Sequence, residues 1–468
     1  MRHTKIVCTI GPVSEQPENL EKLILAGMDV ARLNFSHSSL HDHSQRILNI
    51  RELSLKLGKP IAILQDLSGP KIRINDIEDN KVILHKGQEF TLYGDGRTGN
   101  GSCASINYPS ILHNIKKGDT ILMADGTIVM KVIKAEKERA VCKVLAGDML
   151  SSHKGVNFPE TPLDIPALTE KDKKDLQFGI EHGVDLIALS FVKHAGDILD
   201  VKKILQEHDA FIPVIAKIEK ADAVKNIKSI LEVADGIMVA RGDLGVEIDI
   251  AQVPLVQKKV IEAARKLGKP VITATQMLKS MVDSPMPTRA EATDVANAIL
   301  DGTDAVMLSE ETAIGNFFDS AVEFMNRIAI ATEKNLAPQN EKLSRELHSI
   351  PDAISHSAFQ MAKELNAKLI ITPTQSGSTA NKVARFRPSQ PVIAVTPNVS
   401  TLMRLKLTWG VFPYLIHEMN SIPDIIDQTI KLLKKDKWVK KGDIVVVTAG
   451  TPFSQAGTTN LIKAIVVN

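Results

Sequence analysis

The stretch Pro213-Val-Ile-Ala-Lys217-Ile-Glu219 is a short apolar run that ends on a Lys and a Glu two residues apart. Side chains alternate along a strand with period two, so Lys217 and Glu219 point to the same side at its C-terminal end. The next apolar run, Gly236-Ile-Met-Val-Ala-Arg241-Gly242-Asp243, closes the same way, on a cation, a glycine and a carboxylate. One such ending is an ordinary surface ion pair. Two in succession make a site. An ammonium beside carboxylates at strand ends suits a pocket that holds a divalent metal and a phosphoryl group together.

The pattern repeats on both sides of this unit. Upstream, the strand-like runs Ile6–Ile10, Val30–Phe35 and Ile61–Leu67 are separated by helical sequence near Pro17–Leu25 and His43–Leu57. After a break come Leu186–Phe191, Val214–Ile218, Ile237–Ala240, Val271–Ala274 and Ala305–Leu308, again with helical sequence between them. Thr169-Glu-Lys-Asp172 reads as a capping box with Asp in place of Glu. The eight units predict a (β/α)8 TIM barrel, an α/β fold, built from residues 1–70 and 158–335. Together these are close to the roughly 250 residues such a barrel needs, and its active site lies at the C-terminal ends of the strands.

Residues 71–157 read as an inserted small β-barrel domain. Asp125-Gly126 between two alternating runs is a hairpin signal, and Glu138-Arg139 marks a second turn before Ala140–Leu145. An insertion after the third barrel strand is expected to hang over the mouth as a lid. A charged, breaker-rich link near Lys334–Ser349 leads to a C-terminal α/β domain, 345–468. Its strands are expected at Leu369–Thr372, Val392–Val395, Val411–Ile416, Ile444–Val447 and Ile465–Val467, with helices on both faces.

Bulk composition narrows the function. A net charge of +2 and 4% aromatic residues argue against a nucleic-acid partner or a charged membrane surface. No apolar stretch approaches the roughly 20 residues that span a bilayer. The N-terminus reads straight into a strand, so no signal peptide is expected. Cys8, Cys103 and Cys142 are widely spaced, without a metal-ligand pattern. A cytoplasmic protein is expected.

Other strand ends carry the same chemistry. Alternation sets Arg32, Asn34 and Ser36 opposite Leu33 and Phe35, an arrangement suited to a phosphate and a cation. Asp66 could join that cluster, while His37 reads as a ligand, a base or a structural histidine. Arg241-Gly-Asp-Leu-Gly245 resembles an anion cradle, and Asp243 beside Glu219 offers a divalent ion two carboxylates. Thr275 places a hydroxyl at the rim. In the third unit, Thr374-Gln-Ser376-Gly377-Ser378-Thr379 is a strand-to-helix loop that reads equally as a phosphate cradle or an ordinary turn.

These residues resemble one family. Ile215-Ala-Lys217-Ile-Glu219, Met238–Gly245, Ala274-Thr-Gln-Met277, Pro287–Asn297, Asp301–Ser309, Arg32–His37, Lys154-Gly-Val-Asn157 and Gly457-Thr-Thr-Asn460 are similar to pyruvate kinase motifs, in the family's order along the chain. The resemblance implies transfer of the phosphoryl group of phosphoenolpyruvate to ADP, giving pyruvate and ATP. It implies magnesium (or manganese) at Glu219 and Asp243, and the substrate carboxylate near Gly242 and Asp243. Lys217 would stabilise the phosphoryl in flight, Arg32 would hold it, and Thr275 would lie where the enolate is protonated. Arg73 and the segment with Asn34, Ser36 and His37 would meet the nucleotide phosphates. A homotetramer and a phosphorylated effector at the Thr374–Thr379 loop are also implied. Arg385 and Arg387 belong either to that effector site or to a helix surface.

Many family members bind potassium through groups matching Asn34, Ser36 and Asp66, with a Thr at the position of Leu67 and a Glu at that of Lys71. Here both positions differ, and the ammonium of Lys71 could act as an internal cation, so potassium is expected not to be required. Glu310 stands where the family has Gly, Lys279 where it has Glu, and His194 where it has a basic residue. Two other readings are carried: a magnesium-dependent aldolase or lyase of pyruvate-like substrates, and a catalytically silent metabolite sensor.

Overall fold

The computed structural model of the chain describes residues 1–161, 165–336, 349–416, 421–451 and 458–468. Eight strands close into a parallel barrel: Lys5–Thr9, Val30–Asn34, Ala62–Asp66, Leu186–Leu189, Val214–Ile218, Gly236–Ala240, Val271–Ala274 and Ala305–Leu308. The first pairs with the eighth in the register Lys5↔Ala305, which seals the ring. All eight match the expected runs within two residues at either end.

Alternation decides which residues face which side. Ile6, Cys8, Leu33, Ile63, Ile187, Ala216, Val239 and Val306 point outward into the layer between strands and helices. Val7, Val30, Leu64, Ala188, Ile215, Met238, Ile272 and Ala305 point inward and fill the barrel. The helices are set by local signals. Leu40–Lys56 starts from Ser39, whose side chain accepts from the Asp42 N–H while Asp42 reaches back. Thr169 and Asp172 form the expected box before Glu170–Glu181. Each box satisfies N–H groups that a helix end otherwise leaves unpaired.

The insertion has its own core, with Phe90, Met123, Met130, Cys142 and Phe158 at its centre. Its main sheet has six strands in the order 156–157, 120–123, 128–136, 139–146, 89–93, 103–105, and a two-stranded ribbon joins 149–151 to 81–83. The expected hairpin is present: Thr120–Met123 pairs antiparallel with Ile128–Glu136 around Asp125 and Gly126, both at positive φ.

In the C-terminal unit the strands Val411–Leu415, Val392–Thr396, Leu369–Pro373 and Ile444–Gly450 lie side by side in parallel. The last strand differs from expectation. It runs over Thr459–Val466 rather than Ile465–Val467, and it pairs antiparallel with Ile444–Gly450. Most of its side chains are exposed or half-exposed, so apolar content marks only its end. The link between barrel and C-terminal unit falls mainly outside the described residues. Leu407 of this unit is fully buried and packs with the inward-facing residues of the barrel.

Candidate active site at the barrel mouth

Alternation also builds the site. Thr9 follows Val7 inward, Arg32 follows Val30, Asp66 follows Leu64, Ser190 follows Ala188, and Lys217 follows Ile215. The layers below are apolar; the layer at the strand ends is charged. The Lys217 ammonium donates to three acceptors, Asp66 Oδ1 at 3.1 Å, Glu219 Oε1 at 2.9 Å and Ser190 Oγ at 2.6 Å. Asp66 Oδ2 accepts from Arg32 Nε at 2.6 Å, and Arg32 Nη1 donates to Thr9 Oγ1 at 2.9 Å. One carboxylate therefore holds two cations that the sequence places 185 residues apart.

The charges tune one another. Burial by itself would raise the Asp66 carboxyl, but Lys217 and Arg32 hold it below its ordinary value. Burial opposes the charge on Lys217 as well, yet Asp66 and Glu219 outweigh it and push the ammonium pKa above the usual lysine value. Glu219 goes the other way: burial raises it more than Lys217 lowers it, and the charge of Asp243 adds to the rise. Two neighbouring carboxylates, one of them buried, suit a divalent cation, which would offset the burial of Glu219. Among the described residues no cluster of three or more His, Cys, Asp or Glu is placed to hold a metal. A pair of protein carboxylates is the usual share for magnesium, which takes its other ligands from substrate and water.

Asp243 lies on the short helix Arg241–Glu247. The Gly242 N–H donates to Thr275 Oγ1 at 2.9 Å, which ties the sixth strand end to the seventh. Thr275 and Gln276 both have positive φ, 72° and 55°. Arg241 holds this bend, with Nη2 donating to the Thr275 carbonyl at 2.7 Å and Nη1 pairing with Asp294 at 2.7 Å. For a β-branched residue such a backbone costs about 1–3 kcal/mol and persists only where the surroundings impose it.

Other expected residues fall around this centre. Asn34 ends its strand, and its Oδ1 accepts from the Ser36 N–H at 3.2 Å. Ser36 is therefore in a turn, exposed, and does not continue the Arg32–Asn34 alternation. His37 is exposed; partial desolvation and then Arg73, Lys71 and Arg32 lower its pKa, which places it in a cationic neighbourhood. Arg73 is half-buried and donates to the His153 carbonyl of the insertion at 2.8 Å. Lys71 reaches across to Asp243, 3.6 Å away. Leu67 turns its side chain into the outer core, and only its carbonyl serves the site, accepting from Ser190 at 2.7 Å. The insertion meets the barrel where Asn157 and Lys220 both donate to Glu247 Oε1, at 2.9 and 2.7 Å.

Three of the singled-out substitutions gain a structural account. Lys279 and Glu310 pair with each other across the loops after the seventh and eighth strands. Each departure thus supplies the partner of the other. His194 is the N-cap of the helix Ala195–Glu207.

In the C-terminal unit, Thr374 Oγ1 accepts from the Gly377 N–H at 2.9 Å, and Thr379 shares a hydrogen bond with Thr459 at 2.8 Å. Gly377 has φ 84°. Ser376 and Ser378 line a cavity of about 670 Å³ against the barrel. Arg385 and Arg387 both reach the barrel. Arg385 donates to the Lys266 carbonyl at 2.8 Å and Arg387 pairs with Asp304 at 3.0 Å, so both fasten the unit to the barrel.

Sequence reasoning missed Thr9 and Ser190, and it gave Arg241 only as part of a cradle. The first two continue inward-facing rows at period two, a signal the sequence contains.

Residues 1–322 match the family model described as pyruvate kinase, barrel domain, and residues 352–465 match pyruvate kinase, alpha/beta domain. The chain belongs to the pyruvate kinase family. Among curated relatives, a pyruvate kinase of Geobacillus stearothermophilus is 46% identical over 100% of this chain and 81% of its own length. A protein named pyruvate kinase 2 from Synechocystis is 47% identical over 100% of this chain and 79% of its own. A crystal structure of a pyruvate kinase from Cryptosporidium parvum superposes with a TM-score of 0.94 at 37% identity, covering 100% of this chain and 96% of that one. The chain is a pyruvate kinase-type phosphotransferase, and the expected three-part architecture is that of the family. No helix among the described residues is long and apolar enough to cross a membrane.

Proposed function

We propose that the layer of Arg32, Asp66, Lys217, Glu219, Asp243 and Thr275 carries phosphoryl transfer from phosphoenolpyruvate to ADP as part of glycolysis in the cytoplasm. The observation that carries this reading is the pairing of Arg32 and Lys217 through one carboxylate, Asp66. Two aimed cations above an apolar barrel suit a phosphoryl group in flight, a reaction governed by positioning and charge neutralisation. Glu219 and Asp243 would hold magnesium, which when bound neutralises charge on the substrate oxygens. The substrate carboxylate is assigned to the Gly242–Asp243 segment. Thr275 stands beside it, where protonation of the enolate through water completes pyruvate. Arg73, His37 and the Asn34–Ser36 turn form the cationic approach for the nucleotide phosphates, and the insertion covers it as a lid.

Lys71 supplies the internal cation in place of potassium, its ammonium lying between the Asp243 side and the His37 neighbourhood. The Ser376 and Ser378 hydroxyls at the interdomain cavity are the groups left to receive an effector phosphate. The assembly proposed from the family resemblance is a homotetramer.

The test is pyruvate formation from phosphoenolpyruvate and ADP with magnesium, in buffer free of potassium and ammonium, then with potassium added. Full activity in the first buffer supports the whole reading. Activity only with potassium removes the Lys71 assignment and keeps the transfer. Silence in both returns the sensor reading, and nucleotide-independent cleavage of a pyruvate-like substrate returns the lyase.

A further inference from the structure

We propose that Ser190 is a positioning residue for Lys217, fixing the direction of its ammonium through a hydrogen bond to an uncharged acceptor. This rests on Lys217 as the group that meets the phosphoryl in flight.

The hydroxyl of Ser190 has one proton, and the Leu67 carbonyl 2.7 Å away takes it. The lone pairs of Oγ are left for the Lys217 ammonium at 2.6 Å, the shortest of its three contacts. The other two acceptors are shared. Asp66 also holds Arg32, and Glu219 also accepts from the Phe191 N–H at 2.7 Å and is assigned to the metal. Carboxylates anchor the ammonium but cancel its charge, and that charge is what a phosphoryl group needs. A hydroxyl anchors without cancelling. Ser190 thus sets the aim of Lys217 when Glu219 turns its charge elsewhere.

The anchor is itself rigid. Ser190 is 2% exposed. A Cβ on Gly69, whose φ is +66°, would lie 3.0 Å from the Ser190 Cβ and 2.7 Å from the Phe191 ring, so the turn after the third strand is pressed onto this segment. The third, fourth and fifth strands meet at one hydroxyl.

The experiment uses the full chain with Ser190→Ala, Lys217→Arg and the double variant. Ser190→Ala is expected to lower kcat by about 10- to 100-fold with the phosphoenolpyruvate KM within about threefold, since an aiming contact acts in the transition state. Exchange of pyruvate methyl protons with deuterium, followed by NMR with magnesium and without nucleotide, is expected to stay within about twofold, because that step does not use the aimed ammonium. In the Lys217→Arg background the further loss from Ser190→Ala should fall below about twofold, the non-additivity of residues acting as a unit. A kcat within about threefold of the parent, a parallel fall in exchange, or equal losses in both backgrounds overturns the proposal. Full activity of Lys217→Arg alone overturns the reading beneath it instead. If thermal melts show Ser190→Ala unfolded, Ser190→Cys, which keeps the volume and weakens the acceptor, is judged by the same criteria.

Discussion

A methyl group on Gly69 would collide with Phe191 and press on Ser190, and the backbone there lies in the left-handed region. Gly69→Ala should therefore cost about 1–3 kcal/mol in stability. It should also lower kcat, because the displaced segment carries contacts to both Lys217 and Glu219; urea melts and steady-state rates check the two effects. Lys71→Glu replaces the ammonium beside Asp243 with a second carboxylate. Activity in potassium-free buffer should fall at least about tenfold, with part regained on adding potassium; an unchanged rate would discard Lys71 as the internal cation. At this scale the sequence is legible where the residue type is itself unusual. A Lys and a Glu ending an apolar run stand out, and both lie in the site. Thr9 and Ser190 do not stand out, because Thr and Ser occur at strand ends for many reasons. Their roles come from what the ring of strands brings opposite them. Arg241 was visible only as part of a cradle, whereas its guanidinium holds the backbone of Thr275 on the next strand.

Elements were legible in proportion to their burial. Every barrel strand is covered on both faces, so each reads as a continuous apolar run. The final strand, Thr459–Val466, sits at a sheet edge with much of its length exposed, and composition shows only its last residues. Turn chemistry alone marks the hairpin at Asp125-Gly126. The joint between insertion and barrel was not legible, since Asn157, Lys220 and Glu247 come from three separate parts of the chain. Glu247→Gln would weaken the acceptor on which both donors converge. The expected outcome is a KM for ADP raised by about two- to fivefold with little change in Tm, read from ADP titrations and melts; a KM unchanged within error would separate this joint from nucleotide binding.

Across the molecule, the C-terminal unit docks on the base of the barrel through a dense set of charges. Lys5 donates to the Val411 carbonyl at 2.7 Å and stands over the Phe412 ring, with Asp29, Lys406, Arg2 and Glu333 around it. Burial lowers its pKa to about 7 despite Asp29. The folded chain thus binds fewer protons than the unfolded chain between about pH 7 and the ordinary lysine value. Stability from this group rises with pH across that window, and the penalty is fully present below it. Lys5→Met should raise Tm at pH 6 by roughly 2–5 °C and show a smaller gain at pH 8.5. Equal gains at both values would show that burial of charge at Lys5 is not the source.

The pairing of the first strand with the eighth has a consequence for synthesis. A ribosome that has made the first three strands has made an open sheet with two bare edges, and the partner of Lys5 emerges only at Ala305. The insertion, by contrast, is one continuous stretch with its own core, its two ends bridged at Arg73 and Gly155. It can collapse on the way out, before the partners of those edges have been made. Leu407, translated later still, then reaches the floor of a ring that has just closed.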